Sequence, residues 1–118
     1  MNEIRWGVIG TGSIARAFAR DLQRVPGLKV TAVGSRTIEK ATAFASEFDC
    51  AALGSYQALV ESDVDAIYVA TPHPMHAPNT ILALSHGKPV LCEKPFAVNS
   101  RESSAMIAEA RKRDLLLV

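Results

Sequence analysis

The sequence has 118 residues, of which 48% are hydrophobic, and its formal net charge is +1 at pH 7. A chain of this size and composition is expected to form one globular domain, residues 1–118, with a substantial core. The near-neutral charge gives no reason to expect a nucleic acid partner, and no apolar run approaches the roughly 20 residues of a membrane span.

Strand-like and helix-like patterns alternate along the whole chain. Short apolar runs, typical of buried parallel strands, occupy residues 4–9, 29–34, 50–53, 66–70, 89–92 and 115–118. The first two helices between them have apolar faces at helical spacing, formed by Ile14, Phe18, Leu22 and Val25 and by Ala41, Phe44, Ala45 and Phe48. Ser55 is placed to cap a third helix, and Gly87 to end a fourth. This order predicts a Rossmann-type, doubly wound α/β fold, with a mostly parallel sheet and helices on both faces.

A glycine-rich loop links the first strand to the first helix, with the sequence Gly10-Thr11-Gly12-Ser13-Ile14-Ala15. The pattern G-x-G-x-x-G/A between a strand and a helix is typical of dinucleotide sites. Gly10 permits the tight turn, Gly12 lets the backbone approach a pyrophosphate, and Ala15 keeps the helix close to the strand. The helix N-terminus supplies N–H donors for an anion. We therefore predict cofactor contacts from Gly10 to Ile14, the alternative being a plain tight turn.

The residues after the second strand indicate which dinucleotide is bound. NAD sites place an acidic residue there to bind the ribose 2′-hydroxyl. This chain has Ser35, Arg36 and Thr37 instead. A guanidinium suits a dianionic phosphate, and the two hydroxyls add hydrogen-bond donors. The sequence therefore predicts a preference for NADP over NAD, the alternative being that Arg36 is a solvated surface arginine.

The fifth strand runs directly into Glu93, Lys94 and Pro95. Ligands of open parallel sheets bind outside the carboxyl ends of the strands, so Lys94 is expected where cofactor and substrate meet. Pro95 restricts the conformations of Lys94, so stiff backbone presents the lysine. A lysine there can act as a cation, a hydrogen-bond donor or a proton shuttle. We predict a catalytic Lys94, against a structural loop lysine, and a Glu93 that either orients it or caps the strand end.

Together these motifs resemble the amino-terminal half of the glucose-fructose oxidoreductase, inositol dehydrogenase and rhizopine catabolism (Gfo/Idh/MocA) family, and most of all its NADP-dependent dihydrodiol and D-xylose dehydrogenases. The resemblance extends from about Arg5 to Val118 and includes Thr71-Pro72-His73-Pro74-Met75-His76. It implies that Lys94 lies by the nicotinamide and the reacting carbon, with Glu93 beside it. It also implies that Thr71, Pro72, His73 and His76 lie over the nicotinamide ribose. Helix capping and loop packing are the alternative for the two histidines.

The resemblance carries expectations about the whole protein. It implies hydride transfer between NADP and a hydroxyl-bearing carbon of a sugar or cyclic diol, in a homo-oligomeric enzyme. Family members continue into a carboxyl-terminal substrate domain that is absent here, so we expect a fragment that is inactive alone, the alternative being a natural short chain. A non-catalytic NADP-binding regulatory or sensor module is the alternative function.

The remaining candidate residues favour structural roles. Cys50 and Cys92 are expected to be buried thiols, and the first residues lack the pattern of a signal peptide, which together favour a cytoplasmic protein. Three histidines without ligand spacing do not predict a metal site. Arg16, Arg20 and Arg24 form a stripe on the first helix, which we interpret as a solvated face, the alternative being a weak attraction for an anionic cofactor.

Overall fold

Strands and helices alternate in the structure as the sequence predicts. The computed structural model describes residues 4–71, 73–92 and 100–118. The strands are β1 (Ile4–Ile9), β2 (Leu28–Gly34), β3 (Ala51–Leu53), β4 (Ala66–Val69) and β5 (Val90–Cys92). The helices are α1 (Ser13–Leu22), α2 (Ile38–Phe48), α3 (Tyr56–Val60), α4 (His76–Ser85) and α5 (Ser100–Lys112), with a 3-10 turn at His73–Met75. No helix in this described part is both long and apolar enough to cross a bilayer.

The sheet is parallel throughout, with the strand order β3-β2-β1-β4-β5. The chain builds outward from β1 through β2 to β3, and then returns to the other side of β1 for β4 and β5. The order therefore reverses between β1 and β4, and such a reversal opens a crevice at the carboxyl ends of the two strands. The predicted Rossmann-type, doubly wound α/β fold is confirmed.

Two apolar layers enclose the sheet, one on each face. Successive side chains of a strand point to opposite faces, so Val8 packs with α1 and α2 while Ile9 packs with α3, α4 and α5. On the first face, the ring of Phe18 stacks on Tyr68 with centroids 3.8 Å apart, and Trp6 meets Phe18 edge-on.

Two helix predictions are confirmed. All four residues of the predicted apolar face of α2 are buried. The hydroxyl of Ser55 caps α3 by accepting the N–H of Ala58 at 3.0 Å.

The predicted sixth strand pairs with β5 over residues 116–118 and is shorter than predicted. Leu117 pairs in parallel with Val90, on the outer side of β5, where a sixth strand belongs. The N–H of Leu115, however, still donates to the carbonyl of Ala110 at 2.9 Å, in the turn that ends α5. Pairing with β5 therefore begins only at Leu116, whose carbonyl accepts the N–H of Val90 at 3.0 Å. The N–H of Val118 then donates to the carbonyl of Val90 at 2.9 Å, and the N–H of Cys92 donates to the carbonyl of Val118 at 2.8 Å.

The predicted apolar face of α1 was wrong in part. Ile14 is 51% exposed, and Val25 lies beyond the end of the helix and is 46% exposed. Phe18 and Leu22 of the predicted face do pack toward the sheet, where the buried Ala15 and Ala19 join them. The two alanines have the smallest side chains that a helix favours, and they let α1 approach the sheet closely just after the glycine-rich loop.

The two thiols lie in different environments, and no disulfide joins them. Cys92 is buried, as predicted, whereas Cys50 is half-buried. Burial raises the pKa of the Cys50 thiol to about 11, and the negative charge of Asp49 acts in the same direction. Since a thiolate is the reactive form of cysteine, Cys50 is kept in its inert form at neutral pH.

The raised pKa of Cys50 predicts a loss of stability in alkali. Between about pH 9 and pH 11 the unfolded chain releases this proton while the folded chain retains it, so the free energy of unfolding falls as the pH rises. A Cys50→Ala variant lacks this titration and should lose less stability over the same range. Urea denaturation at about pH 8 and about pH 10.5, followed by the emission of the single tryptophan, Trp6, measures both. Equal losses in the two proteins would contradict the prediction.

Candidate functional site

A crevice opens where β1, β2 and β4 end side by side. The N–H of Gly10 donates to the carbonyl of Gly34 at 3.0 Å, and that of Ala70 to the carbonyl of Ile9 at 2.9 Å. These bonds hold together the loops that leave the three strands. The crevice has a volume of about 710 Å³ and is lined by Gly10, Thr11, Gly12, Ser13, Ile14, Ser35, Arg36, Thr37, Lys40, Tyr56, Ala70, Thr71 and His76.

The turn at Gly10 depends on the missing side chain. Gly10 has a φ of +109°, a conformation that L side chains rarely adopt. A Cβ atom built on it would lie 2.9 Å from the carbonyl oxygen of Ala70, which is backbone and cannot rotate away. Only glycine therefore lets the loop pass this close to the end of β4.

The N-terminus of α1 faces the crevice without a side-chain cap. Gly12 is the N-cap residue, and no side chain bonds to the first turn, whereas Thr37 and Ser55 cap α2 and α3. A Cβ atom on Gly12 would meet nothing within 4 Å, so open space lies in front of the loop. Unsatisfied N–H groups and the positive end of a helix dipole favour an anion at this place.

Two cations, Arg36 and Lys40, also line the crevice. Arg36 and Lys40 are exposed and form no ion pair with any carboxylate in the described ranges. Ser35 is buried, and its N–H donates to the carbonyl of Leu53 at 3.2 Å, which holds the end of β2. The hydroxyl of Thr37 accepts the N–H of Lys40 at 3.4 Å and keeps its own hydrogen for donation. None of the described lining residues carries a carboxylate, so this part of the crevice suits a phosphate group.

Thr71, His76 and Asn79 form a buried network at the end of β4. The ring Nε2 of His76 donates to the carbonyl of Thr71 at 2.7 Å, and the side-chain amide of Asn79 donates to the Thr71 hydroxyl at 2.8 Å. His76 is the first residue of α4 and is 2% exposed. Loop packing therefore accounts for its hydrogen bond to Thr71. Since His76 also lines the crevice, the predicted ribose contact stays a prediction.

The structure brings ten of the predicted site residues to one crevice: Gly10, Thr11, Gly12, Ser13, Ile14, Ser35, Arg36, Thr37, Thr71 and His76. Pro72, Glu93, Lys94 and the side chain of His73 lie outside the described residues, so their predicted contacts are untested. The described part of β5 ends at Cys92, two residues before Lys94.

Four residues of the site escaped prediction, namely Lys40, Tyr56, Ala70 and Asn79. Lys40 could have been found, because it lies in the first turn of the helix that Thr37 caps. Asn79 lies three residues after His76, a spacing that places two helical side chains on one face. No local signal indicates Tyr56 or Ala70, since the packing of α3 and the alignment of strand ends bring them to the crevice.

The features of the crevice fit a dinucleotide phosphate and not a metal ion. The uncapped helix, the open space before Gly12 and the two cations all favour negative charge. A metal ion would require anionic or imidazole ligands, and the described residues contain no cluster of three or more histidine, cysteine, aspartate or glutamate side chains.

Comparison with known proteins agrees with this geometry. Residues 4–118 match the model of the GFO_IDH_MocA group, described as an oxidoreductase family with an NAD-binding Rossmann fold. The chain is 40% identical over 119 residues to the trans-1,2-dihydrobenzene-1,2-diol dehydrogenase of Mus musculus, covering 98% of this chain and 36% of that protein. It is 38% identical over 117 residues to the scyllo-inositol 2-dehydrogenase (NADP(+)) IolU of Bacillus subtilis, with the same coverage.

Solved structures contain the same fold. KijD10, a 3-ketoreductase from Actinomadura kijaniata solved with NADP, superimposes with a TM-score of 0.93 at 42% identity. The superposition covers 98% of this chain and 38% of KijD10. The chain thus spans about a third of the length of the relatives it matches.

Proposed function

The chain belongs to the GFO_IDH_MocA oxidoreductase family, whose matching region is an NAD-binding Rossmann fold, and on that premise we propose that it is the NADP-binding part of a two-domain dehydrogenase. The observation that carries the proposal is the pairing of an uncapped helix N-terminus with two cations, Arg36 and Lys40, in one crevice that lacks a described carboxylate. A 2′-phosphate distinguishes NADP from NAD, and it is the group that such cations would bind.

The similar proteins support the choice of NADP. IolU carries NADP(+) in its name, and KijD10 was solved with NADP. In the proposed mode of binding, the glycine-rich loop and the first turn of α1 hold the pyrophosphate. Arg36, Lys40 and the hydroxyls of Ser35 and Thr37 hold the 2′-phosphate, and Thr71, with His76 behind it, borders the nicotinamide ribose.

The proposed reaction is hydride transfer between NADP and a hydroxyl-bearing carbon of a sugar or cyclic diol. The similar dehydrogenases act on a dihydrodiol and an inositol, as their names state. The bound cofactor would supply the redox chemistry. The chain's own residues would bind the dinucleotide. In the oxidation direction Lys94, as the neutral amine, would accept the proton of the substrate hydroxyl while hydride passes to NADP, and in the reverse direction the ammonium would return that proton to the substrate oxygen. We further propose that the parent enzyme is a homo-oligomer, as the family resemblance implies.

The first test is a titration of this chain with NADPH and with NADH, followed by nicotinamide fluorescence. Binding with NADPH favoured would support both the dinucleotide site and the role of the two cations. Equal affinity for the two cofactors would contradict the proposed 2′-phosphate site. Should neither bind, a longer form of the chain, extended beyond Val118, would show whether the site needs further residues or the dinucleotide assignment is wrong.

In the full-length enzyme, Lys94→Ala is expected to lower kcat by a larger factor than it lowers the affinity for NADP. The reason is that the proposed lysine acts on the substrate oxygen in the transition state, whereas the phosphates are held elsewhere. Steady-state kinetics with a cyclic diol, together with a direct NADPH titration, separate the two quantities. Equal losses in turnover and affinity would contradict a catalytic lysine. If the unaltered full-length protein bound NADPH but turned over no polyol, a non-catalytic module would be favoured.

A further inference from the structure

Arg16 holds the glycine-rich loop from behind. Its guanidinium group donates from Nη1 to the carbonyl oxygen of Thr11 and from Nε to Glu47 of α2 at 3.0 Å. The guanidinium carbon also lies 5.7 Å from the centre of the Phe44 ring. Three contacts in different directions therefore fix this side chain, which is 30% exposed. Interpreting Arg16 as part of a solvated stripe was therefore wrong.

The contact with Thr11 determines how one peptide group of the loop is oriented. In a trans peptide the carbonyl of Thr11 and the N–H of Gly12 point in opposite directions. Holding the carbonyl toward Arg16 therefore holds the N–H away from it. Glycine follows this peptide, and glycine has little resistance to rotation of the backbone. Without Arg16 the peptide could turn over and present its oxygen, instead of its hydrogen, to an anion.

Arg16 does not line the crevice, whereas Thr11 and Gly12 do. We propose that Arg16, anchored by Glu47, is a positioning residue that fixes the Thr11–Gly12 peptide in the orientation required to bind the pyrophosphate of a dinucleotide. The inference rests on the proposed function, since it assigns this peptide a ligand. The hydrogen bond from Arg16, more than the one from Arg20, lowers the pKa of Glu47, so the carboxylate stays charged and the anchor persists at neutral pH.

Arg20 provides a matched control on the same helix. Its Nη2 donates to the other oxygen of Glu47 at 3.4 Å, and its side chain is 57% exposed. Arg20 has the same charge as Arg16 and donates to the same carboxylate, that of Glu47, but it makes no described contact with the glycine-rich loop. An Arg20→Gln variant therefore removes the same charge and leaves the loop contact in place.

The experiment measures the affinities of this chain and its variants for two ligands by isothermal titration calorimetry. NADPH contains the pyrophosphate, and adenosine 2′-monophosphate contains the 2′-phosphate without it. Arg16→Gln is expected to weaken NADPH binding about tenfold and to leave the affinity for adenosine 2′-monophosphate within about twofold. Arg16→Lys should share the loss, because one ammonium group cannot reproduce the fork that bridges Thr11 and Glu47. Arg20→Gln should bind both ligands as the unaltered chain does.

Several outcomes would overturn the proposal. Wild-type affinity for NADPH in Arg16→Lys would show that only the positive charge at residue 16 matters. An equal loss of NADPH affinity in Arg20→Gln would show that the ion pairs with Glu47, and not the contact with Thr11, determine binding. A similar loss of affinity for NADPH and for adenosine 2′-monophosphate would indicate that Arg16 has a general structural role. Circular dichroism and Trp6 emission check folding, and Arg16→Lys carries the test if Arg16→Gln does not fold. If neither the unaltered chain nor a longer form extended beyond Val118 binds NADPH or NADH, the proposed function fails and this inference with it, whereas the outcomes above leave the proposed function intact.

Discussion

Replacing Arg36 with alanine is expected to weaken NADPH binding about 30-fold and to leave NADH binding unchanged. Hydrogen bonds to charged groups contribute about 1.5–3 kcal/mol each, and the loss of about 2 kcal/mol corresponds to this factor. Arg36 is exposed and has no described ion-pair partner, so no described ion pair has to be broken before it binds a phosphate. NADH has a hydroxyl in place of the 2′-phosphate, so the variant would lose little affinity for it.

The control for Arg36 is an arginine of equal charge elsewhere. Arg24 is exposed near the end of α1 and does not line the crevice. Fluorescence titrations of Arg36→Ala and Arg24→Ala with both cofactors, at two salt concentrations, separate a local contact from a change in net charge. Unchanged NADPH affinity in Arg36→Ala would mean that Arg36 is the solvated arginine of the alternative interpretation. Equal losses for the two cofactors would mean that it does not recognise the 2′-phosphate.

Replacing Gly10 with alanine is expected to lower the free energy of unfolding by about 3 kcal/mol or more and to abolish NADPH binding. Two costs add at this position. The φ of +109° is strained for any L residue, and the new Cβ atom would press on the backbone carbonyl of Ala70. A loss of this size is a large part of the total stability of a small domain. Urea denaturation followed by Trp6 emission, with an NADPH titration on the same samples, measures both effects.

Two other glycines separate the causes of that loss. Gly27 has a φ of +85° and open space around it. Gly27→Ala should therefore lower the free energy of unfolding by the backbone strain alone, about 1 kcal/mol. Gly12 has a negative φ and open space, so Gly12→Ala should stay folded and still lose NADPH affinity, because its methyl group occupies the proposed path of the pyrophosphate. A Gly10→Ala variant as stable as Gly27→Ala would show that the loop moves away from β4 and that close packing there is unimportant.

Much of the fold could be predicted because its signals are local. The Ser55 cap and the left-handed Gly87, with a φ of +77°, depend on a few neighbouring residues and are confirmed. The buried face of α1 could not be predicted in the same way. Helical spacing favours Ile14 and Val25 as core residues, but the distance of the helix from the sheet decides that alanines face it. That distance is a property of the packed molecule.

The candidate site likewise has residues that local sequence signals predicted and residues that only packing brings to it. The spacing of Gly10 and Gly12 and the presence of Arg36 after β2 predicted a dinucleotide crevice, since each depends on residues adjacent in the chain. The contribution of Lys40 and the bond from Arg16 to Thr11 depend on how two helices approach the loop. A stripe of arginines has the same sequence pattern whether its members are solvated or anchored.

By itself, the sequence of this protein determined the α/β order, the glycine-rich loop and the absence of an acid after β2, because backbone conformation and charge are specified by neighbouring residues. The tertiary structure decided which side chains share the crevice, which helix face is buried and how residues 115–118 pair. Those outcomes depend on contacts between residues far apart in the chain, such as the carboxylate of Glu47 and the guanidinium of Arg16. Such contacts exist only once the helices have packed on the sheet.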